Sequence, residues 1–310
     1  MVIEQSENII NEVKKAFTGK DEVIKKVLMA IYAGGHILLE DNPGMGKTTL
    51  ALAFSKALGL SYNRLQFTSD TLPSDIVGYS IFNRQTNQFE YIDGIINCNL
   101  LLADEVNRTS PKTQSALLQA MAENKITVDG KTKELPVPFT CIATENPFGT
   151  IGTQPLPESQ LDRFIIRLSI GYPSTEAQME ILRSRKYTDP IDEINPVISA
   201  DEVIEIQNYI SSVKVSDEIL EYLIKLCEYT RESEYVELGV SPRGVMALAK
   251  MAKVNAVLNE RTYVIPEDIQ YVFFDVCEHR IALKPQAKIT GINATSILED
   301  ALSSVTPPSI

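Results

Sequence analysis

The sequence predicts an α/β fold, a parallel sheet between helices over residues 1–188, followed by a helical domain over 189–302. Three observations predict it. Short apolar runs alternate with helical periodicity as far as Leu168. After Gly171-Tyr172-Pro173-Ser174 the pattern becomes helical throughout. Between the first apolar run and the helix after it lies a glycine-rich stretch, EDNPGMGKTTL at 40–50. Strands that alternate with helices need crossover connections, and these give a parallel sheet covered on both faces.

Residues 37–39 form the first strand and 47–58 the helix after it. Strands follow at 64–67 and 100–103, the second leading into a helix over 111–124. Strands at 139–143 and 164–168 complete the sheet. Residues 79–96 read as a β-hairpin interrupting a helix between core strands, and 126–135 as a second hairpin. In the second, Asp129-Gly130 is a type I′ turn signal. The later helices span 175–185, 200–211, 217–231, 242–258 and 266–274. Ser241 followed by Pro242 marks one start as cap and N1, and Pro266-Glu267-Asp268 marks another. Residues 303–310 are expected to fray.

At 310 residues, with 44% hydrophobic and 23% charged, the composition is that of a soluble globular protein of two domains. The net charge of −12 is concentrated between residues 187 and 240, where 13 acids face three bases. That balance opposes a nucleic-acid backbone binder, whose affinity comes from phosphate neutralisation. The acidic segment is either a solvated helical face or a docking surface for a basic partner. Cys98, Cys141, Cys227 and Cys277 are far apart without a C-x-x-C pair, which fits reduced thiols in the cytoplasm. No signal peptide is visible. The longest apolar stretch, 27–39, is broken by Gly34, Gly35 and His36 and falls short of the ~20 residues that span a bilayer. A cytoplasmic protein without a transmembrane segment is expected. His36 and His279 are the only histidines, so hydrolysis with a histidine base has little support. His36, just before the first strand, is expected to pack in the core.

A phosphate-binding loop must aim backbone N–H groups and a helix N-terminus at an anion. It also needs a lysine that reaches the terminal phosphates and a hydroxyl for Mg2+. In Pro43-Gly44-Met45-Gly46-Lys47-Thr48-Thr49 the two glycines clear the approach, and Lys47 and Thr48 open the helix. Thr49 excludes the dinucleotide pattern G-x-G-x-x-G. Asp41 stands where the Walker A motif has its first glycine, and is expected to restrict the turn or repel phosphate slightly. An incidental lysine in a strand–turn–helix is the plain alternative. The run NLLLADEVNR at 99–108 is an apolar strand ending in Asp-Glu, a Walker B pattern. There Asp104 can hold the Mg2+ shell and Glu105 can polarise the attacking water. Two such linked motifs point to nucleotide hydrolysis, with small-molecule kinases still open.

Three further stretches, CIATENP (141–147), LPESQLDRF (156–164) and SPRGVMALAK (241–250), join LLLADEVNRTSPKTQSALLQAMAE (100–123). Together these resemble the MoxR family of AAA+ ATPases, in the helix-2-insert clade, from about Gly19 to Arg280. The resemblance implies a P-loop NTPase core with an AAA+ lid, binding ATP and Mg2+. It implies that Asn146 is sensor 1, Arg163 an arginine finger, Arg243 sensor 2, and Gly19 the start of the adenine pocket. Each has a plainer reading: a turn residue before Pro147, an ion pair to Glu158 or another nearby acid, a pairing with acids of the lid, a helix-stop glycine. The resemblance further implies a homo-hexameric ring that remodels or matures a protein client, often with von Willebrand factor A domain partners. Both hairpins would then face the channel, with Phe82, Phe89 and Tyr91 gripping the client or simply packing. The clade also contains DNA helicases, so a nucleic-acid-dependent motor is the alternative; the acidic balance opposes it. A switch that binds without hydrolysing is opposed by Asp104 and Glu105. Asp41, Asn42 and Glu145 depart from the family pattern.

Overall fold

The computed structural model describes residues 2–146, 154–184 and 189–309. Pro147 of the CIATENP stretch, Arg185 at the expected end of a helix, and the expected domain boundary at 188 lie outside them. The chain opens with helices α1 (Val2–Ala16) and α2 (Asp21–Tyr32), then strand β1 (Ile37–Glu40) and helix α3 (Lys47–Ala57). Next come β2 (Tyr62–Gln66), the short α4 (Pro73–Val77), the hairpin β3 (Gly78–Asn83) and β4 (Gln88–Asp93), and β5 (Leu100–Asp104). Helix α5 (Pro111–Glu123), the hairpin β6 (Lys125–Val128) and β7 (Lys131–Glu134), β8 (Thr140–Glu145), α6 (Glu158–Leu161) and β9 (Ile166–Leu168) follow. The remainder is helical: α7 (Thr175–Ser184), α8 (Ala200–Ser211), α9 (Asp217–Glu232), α10 (Pro242–Leu258) and α11 (Pro266–Cys277), then α12 (Pro285–Thr290) and α13 (Ala294–Ser304). One small antiparallel pair interrupts it, β10 (Val236–Leu238) with β11 (Ala282–Leu283).

The five core strands form one sheet in the order β2-β5-β8-β1-β9, and every neighbouring pair is parallel. Side chains alternate across it as strand geometry requires. Ile37, Leu39, Leu100, Leu102 and Ile142 face the cluster built with α1, α2 and α3. Leu38, Leu101, Ala103, Cys141 and Ala143 face the cluster under α5 and the hairpins. Burial on both faces explains why β5 reads as an unbroken LLLA run. The first cluster continues into α8, α9, α10 and α11.

Several boundaries differ from the sequence expectation. Strand β2 begins two residues earlier and releases Phe67 into the core. Strand β9 begins at Ile166, because the Phe164 carbonyl is taken by Arg280 and His279 rather than by a neighbouring strand. Helix α13 runs through Ser304, two residues into the segment expected to fray. The turn of the second hairpin has Asp129 at φ +50° and Gly130 at φ +76°, the signs a type I′ turn needs. His36 is buried, donating to the Met121 carbonyl at 2.9 Å and accepting from the Cys141 amide at 3.0 Å. Burial lowers its pKa to about 4, so it stays neutral in the core.

Gly35, between α2 and β1, is held by close approach: a Cβ there would lie 2.4 Å from Cγ2 of Ile165. Gly35→Ala should therefore cost ~1–3 kcal/mol by overpacking. A lower denaturant midpoint is the expected result, and Ile165→Ala should not recover it, because the Cβ at 165 would still lie 2.5 Å away.

Candidate active site

The glycine-rich loop leaves β1 and enters α3 with Gly44 at φ +86° and Gly46 at φ +85°, a region closed to most side chains. Gly46 is the N-cap of α3, and a Cβ on it would come within 3.0 Å of the Phe17 ring. The first N–H groups of α3 have no partner within the helix and form an anion site. They open onto a cavity of 420 Å³ lined by Pro43, Gly44, Gly46, Lys47, Thr48 and Thr49 of the loop. Asp41 just after β1, Arg64 and Gln66 from β2, Asp104 at the end of β5 with Glu105 after it, and Asn146 after β8 complete its walls. Every one of these segments lies at the carboxyl end of a parallel strand, where open α/β sheets bind ligands.

Lys47 lies nearly buried across the end of the sheet, donating to the carbonyls of Asp41 at 2.5 Å and Glu145 at 3.1 Å. Burial lowers its pKa; the carboxylates of Asp41, Asp104, Glu105 and Glu145 oppose that shift. Asp104 is fixed on both oxygens, by the Thr144 hydroxyl at 2.7 Å and the Arg64 guanidinium at 2.7 Å. Glu105 sits at φ +58°, unusual outside glycine, with its N–H donating to Thr144 Oγ1 at 2.9 Å. That backbone turns its carboxylate toward Gln66 (2.8 Å) and Arg108 (2.7 Å). Arg64, Gln66, Thr144 and Arg108 were not singled out from the sequence. Strand register could have found two of them, since Gln66 pairs with Asp104 and Arg64 with Leu102. Thr48 and Asp104 offer hard oxygen donors in one cavity, the kind of set that suits Mg2+.

A second, smaller pocket of 150 Å³ adjoins the first and shares Gly44, Gly46 and Thr49 with it. Phe17, Met45, Ile170 and Pro173 give it apolar walls that suit a flat base. Gly19 lies in the adjoining connection at φ +79°, where a Cβ would strike Ala177 of α7 at 2.6 Å. Its freedom from a side chain thus lets the α1–α2 connection close against α7.

Arg163 and Arg243 lie elsewhere. They share a 270 Å³ pocket with Gly34, His36, Met121 and Lys250, at the amino-terminal edge of the sheet. Arg163 donates to the Leu118 carbonyl at 2.5 Å, and neither arginine forms an ion pair among the described residues. The pairing of Arg163 with Glu158 and that of Arg243 with lid acids are therefore not seen there. Burial and then the Arg243 charge lower the pKa of Arg163. Asp162 holds this corner together: it accepts from Ser241, the N-cap of α10, at 2.8 Å and from buried Arg280 at 3.0 Å.

The model of the ATPase family associated with various cellular activities (AAA) matches residues 36–166, and that of the AAA lid domain matches 228–301. The chain is 46% identical over 299 residues to the uncharacterized protein YeaC of Bacillus subtilis, covering 96% of this chain and 93% of that one. It is 34% identical over 313 residues to chaperone MoxR1 of Mycobacterium tuberculosis, covering 98% and 82%. This chain belongs to the MoxR family of AAA+ ATPases. A solved structure from Cytophaga hutchinsonii, named there as a candidate ATPase, superposes with a TM-score of 0.90 at 36% identity, covering 99% of this chain and 96% of that one. The chain is accordingly an ATP hydrolase with a P-loop core and a helical lid region.

Within this MoxR-family site, two departures have physical explanations. The Asp41 backbone is not in the positive-φ region, so the position does not need glycine. Its carboxylate turns away from the loop and accepts from Ser169 Oγ at 3.0 Å, from the Gly171 N–H at 3.1 Å and from the Ile170 N–H. The carboxylate thus ties the start of the loop to the chain after β9. Glu145 is pushed up to about 7 by burial and by the nearby Glu40 carboxylate, and its buried Oε1 has no partner among the described residues. The carboxyl is therefore partly protonated near neutral pH, which lowers the cost of burying it there.

That shift has a sign. Between the unfolded value near 4.5 and the folded value near 7 the native state binds more protons, so stability falls as pH rises and then levels off. Glu145→Gln removes the penalty. Denaturant unfolding at pH 8 should show the variant more stable by ~1–3 kcal/mol, with the advantage largely gone at pH 5.

Proposed function

We propose that the chain assembles into a homo-hexameric ring whose Mg2+-dependent ATP sites are completed in trans by Arg163 and Arg243, and that turnover remodels a protein client. One observation carries this reading. The loop cavity lies at the carboxyl edge of the sheet and the two arginines at its amino edge, so neither lines the cavity of its own chain. Arginines left without ion pairs on the far edge are suited to reach a neighbour's terminal phosphate.

In this mechanism the base enters the apolar pocket beside Gly19 and Met45, and the phosphates lie on the amino end of α3. Lys47 exchanges its carbonyl partners for phosphate oxygens. Thr48 and Asp104 would hold the magnesium, which neutralises charge on the transferring phosphoryl group. Glu105 accepts a proton from the attacking water, and Asn146 orients that water against the γ-phosphate. The neighbour's Arg163 stabilises charge as it spreads over the equatorial oxygens, worth ~10³–10⁵ in rate in P-loop enzymes. The reading treats residues 1–188 and 189–302 as core and lid domains.

Support for a protein client comes from the first hairpin, where Phe82 and Phe89 pair across the strands with ring centroids 5.3 Å apart and are 49% and 70% exposed. Tyr91 is different: its hydroxyl donates to the Val77 carbonyl and its ring carries Lys133, so it ties the hairpins together. Phe82 and Phe89 are thus the gripping pair. A relative named a chaperone fits the same reading; a partner with a von Willebrand factor A domain and a place in the cytoplasm are part of the proposal. Among the described residues no helix is long and apolar enough to cross a membrane.

Two inactive variants mixed together provide the test. Arg163→Ala keeps its own site but lacks the finger, and Lys47→Ala lacks the site but supplies the finger. Each alone should hydrolyse ATP ~10³-fold more slowly than wild type. Mixing them should restore a measurable fraction of turnover, and wild-type turnover per subunit should rise with protein concentration. A silent mixture together with concentration-independent turnover would sink the ring. A rate stimulated by DNA and steeply reduced by salt would favour a nucleic-acid motor instead.

A further inference from the structure

The side chain of Asp41 bridges two parts of the site that are far apart in sequence. Asp41 follows the last residue of β1 and begins the phosphate loop, and its main-chain carbonyl receives Lys47. Its carboxylate receives the hydroxyl of Ser169 and the N–H groups of Ile170 and Gly171, just past the end of β9. The same Ile170 and Gly171 form a wall of the apolar pocket, opposite Gly44, Met45 and Gly46. Gly171 turns there at φ +64°. One carboxylate, 7% exposed, therefore fixes the spacing between the phosphate loop and the wall of the base pocket.

We infer that Asp41 is a positioning residue for the nucleoside: it latches the chain after β9 against the phosphate loop, so that the base pocket is formed before nucleotide arrives. The inference rests on reading the loop cavity as an ATP site. A glycine at 41 would supply the carbonyl for Lys47 but no acceptor for residues 169–171. The N–H groups of Ile170 and Gly171 would then lose a charged partner inside the protein, and the wall they carry would loosen. Hydrogen bonds to a buried carboxylate are among the stronger ones available to backbone N–H groups. A wall that must be ordered on binding lowers affinity for whatever contacts it. The phosphates contact the loop and α3 instead, through φ > 0 glycines and a helix start rather than through residues 169–171.

The effect should separate by ligand. Isothermal titration with MgATP and with magnesium tripolyphosphate, which has phosphates and no nucleoside, measures the two parts. Asp41→Gly should bind MgATP about tenfold more weakly and tripolyphosphate within about twofold of wild type. Ser169→Ala, which removes one donor to the same carboxylate, should weaken MgATP about threefold in the wild-type background and not at all in Asp41→Gly. Equal losses for both ligands would assign Asp41 to the loop itself and overturn the latch. Unchanged MgATP binding in a folded Asp41→Gly protein, or a Ser169→Ala effect of the same size in both backgrounds, would overturn it as well. If Asp41→Gly does not fold, Ser169→Ala alone must still weaken MgATP and spare tripolyphosphate. A wild-type protein that binds no MgATP would instead refute the assignment of the ATP site.

Discussion

The site depends on one constraint, that all five core strands point the same way. Parallel strands cannot be joined by tight turns, so each must be followed by a crossover that returns the chain to the starting edge. The carboxyl edge thus collects the beginnings of crossovers: the phosphate loop after β1, Asp104 and Glu105 at the end of β5, and Glu145 and Asn146 at the end of β8. The amino edge collects their ends: Gly34 to His36 before β1, the end of α5, and Asp162 to Ile165 before β9. On the proposed reading, a residue with a phosphate-directed role at the amino edge meets phosphate on another molecule. Assembly is, on the proposed reading, a consequence of strand direction.

Much of this was legible because parallel strands buried on both faces leave unbroken apolar runs, as in LLLA before Asp104 and CIA before Thr144. Helix starts were legible where a cap is spelled out locally; Ser241 accepts from the Gly244 N–H as Ser-Pro at a helix start suggests. What was not read shows the limits of local pattern. The stretch 27–39 looked like one interrupted apolar run and is the end of α2, a turn and β1, all drawn into one core. Helix α1 has buried positions at Ile9 and Val13 within a polar sequence, and its significance appears only where it packs beside α2 and α3. Strands β10 and β11 are three and two residues long and pair across more than forty residues, below what periodicity can register.

The site divides in the same way. Residues that bind by backbone shape or by a motif on one segment, Gly44, Gly46, Lys47, Asp104 and Glu105, stand together around the cavity as expected. Residues that act on them from another strand were silent. Thr144 touches both Asp104 and the Glu105 N–H from 39 to 40 positions away, and Arg64 reaches Asp104 across 40. Asp41 was visible as a departure from a motif, but its meaning was not, because its partners at 169–171 are more than 120 positions distant. A motif records what a segment does for a ligand; it does not record what holds the segment.

Each edge is also tied to the helical region through a carboxylate. At the amino edge the link is buried and charged. Arg280 is 4% exposed, and its guanidinium is satisfied by Asp162 and by the carbonyls of Phe164 and Ile165. Removing a charge from water is costly unless such partners are complete, so this corner resists partial opening. Because Asp162 also receives the N-cap hydroxyl of α10, the segment carrying Arg163 and the helix start carrying Arg243 are held as one unit. At the carboxyl edge the link runs through the Asp41 carboxylate to residues 169–171, which lead on to α7. On the proposed reading, nucleotide bound there meets the latched segment, and the arginines on the far edge face a neighbour. Asp41 then holds the base pocket in place at one edge, and Asp162 holds the two arginines in place at the other.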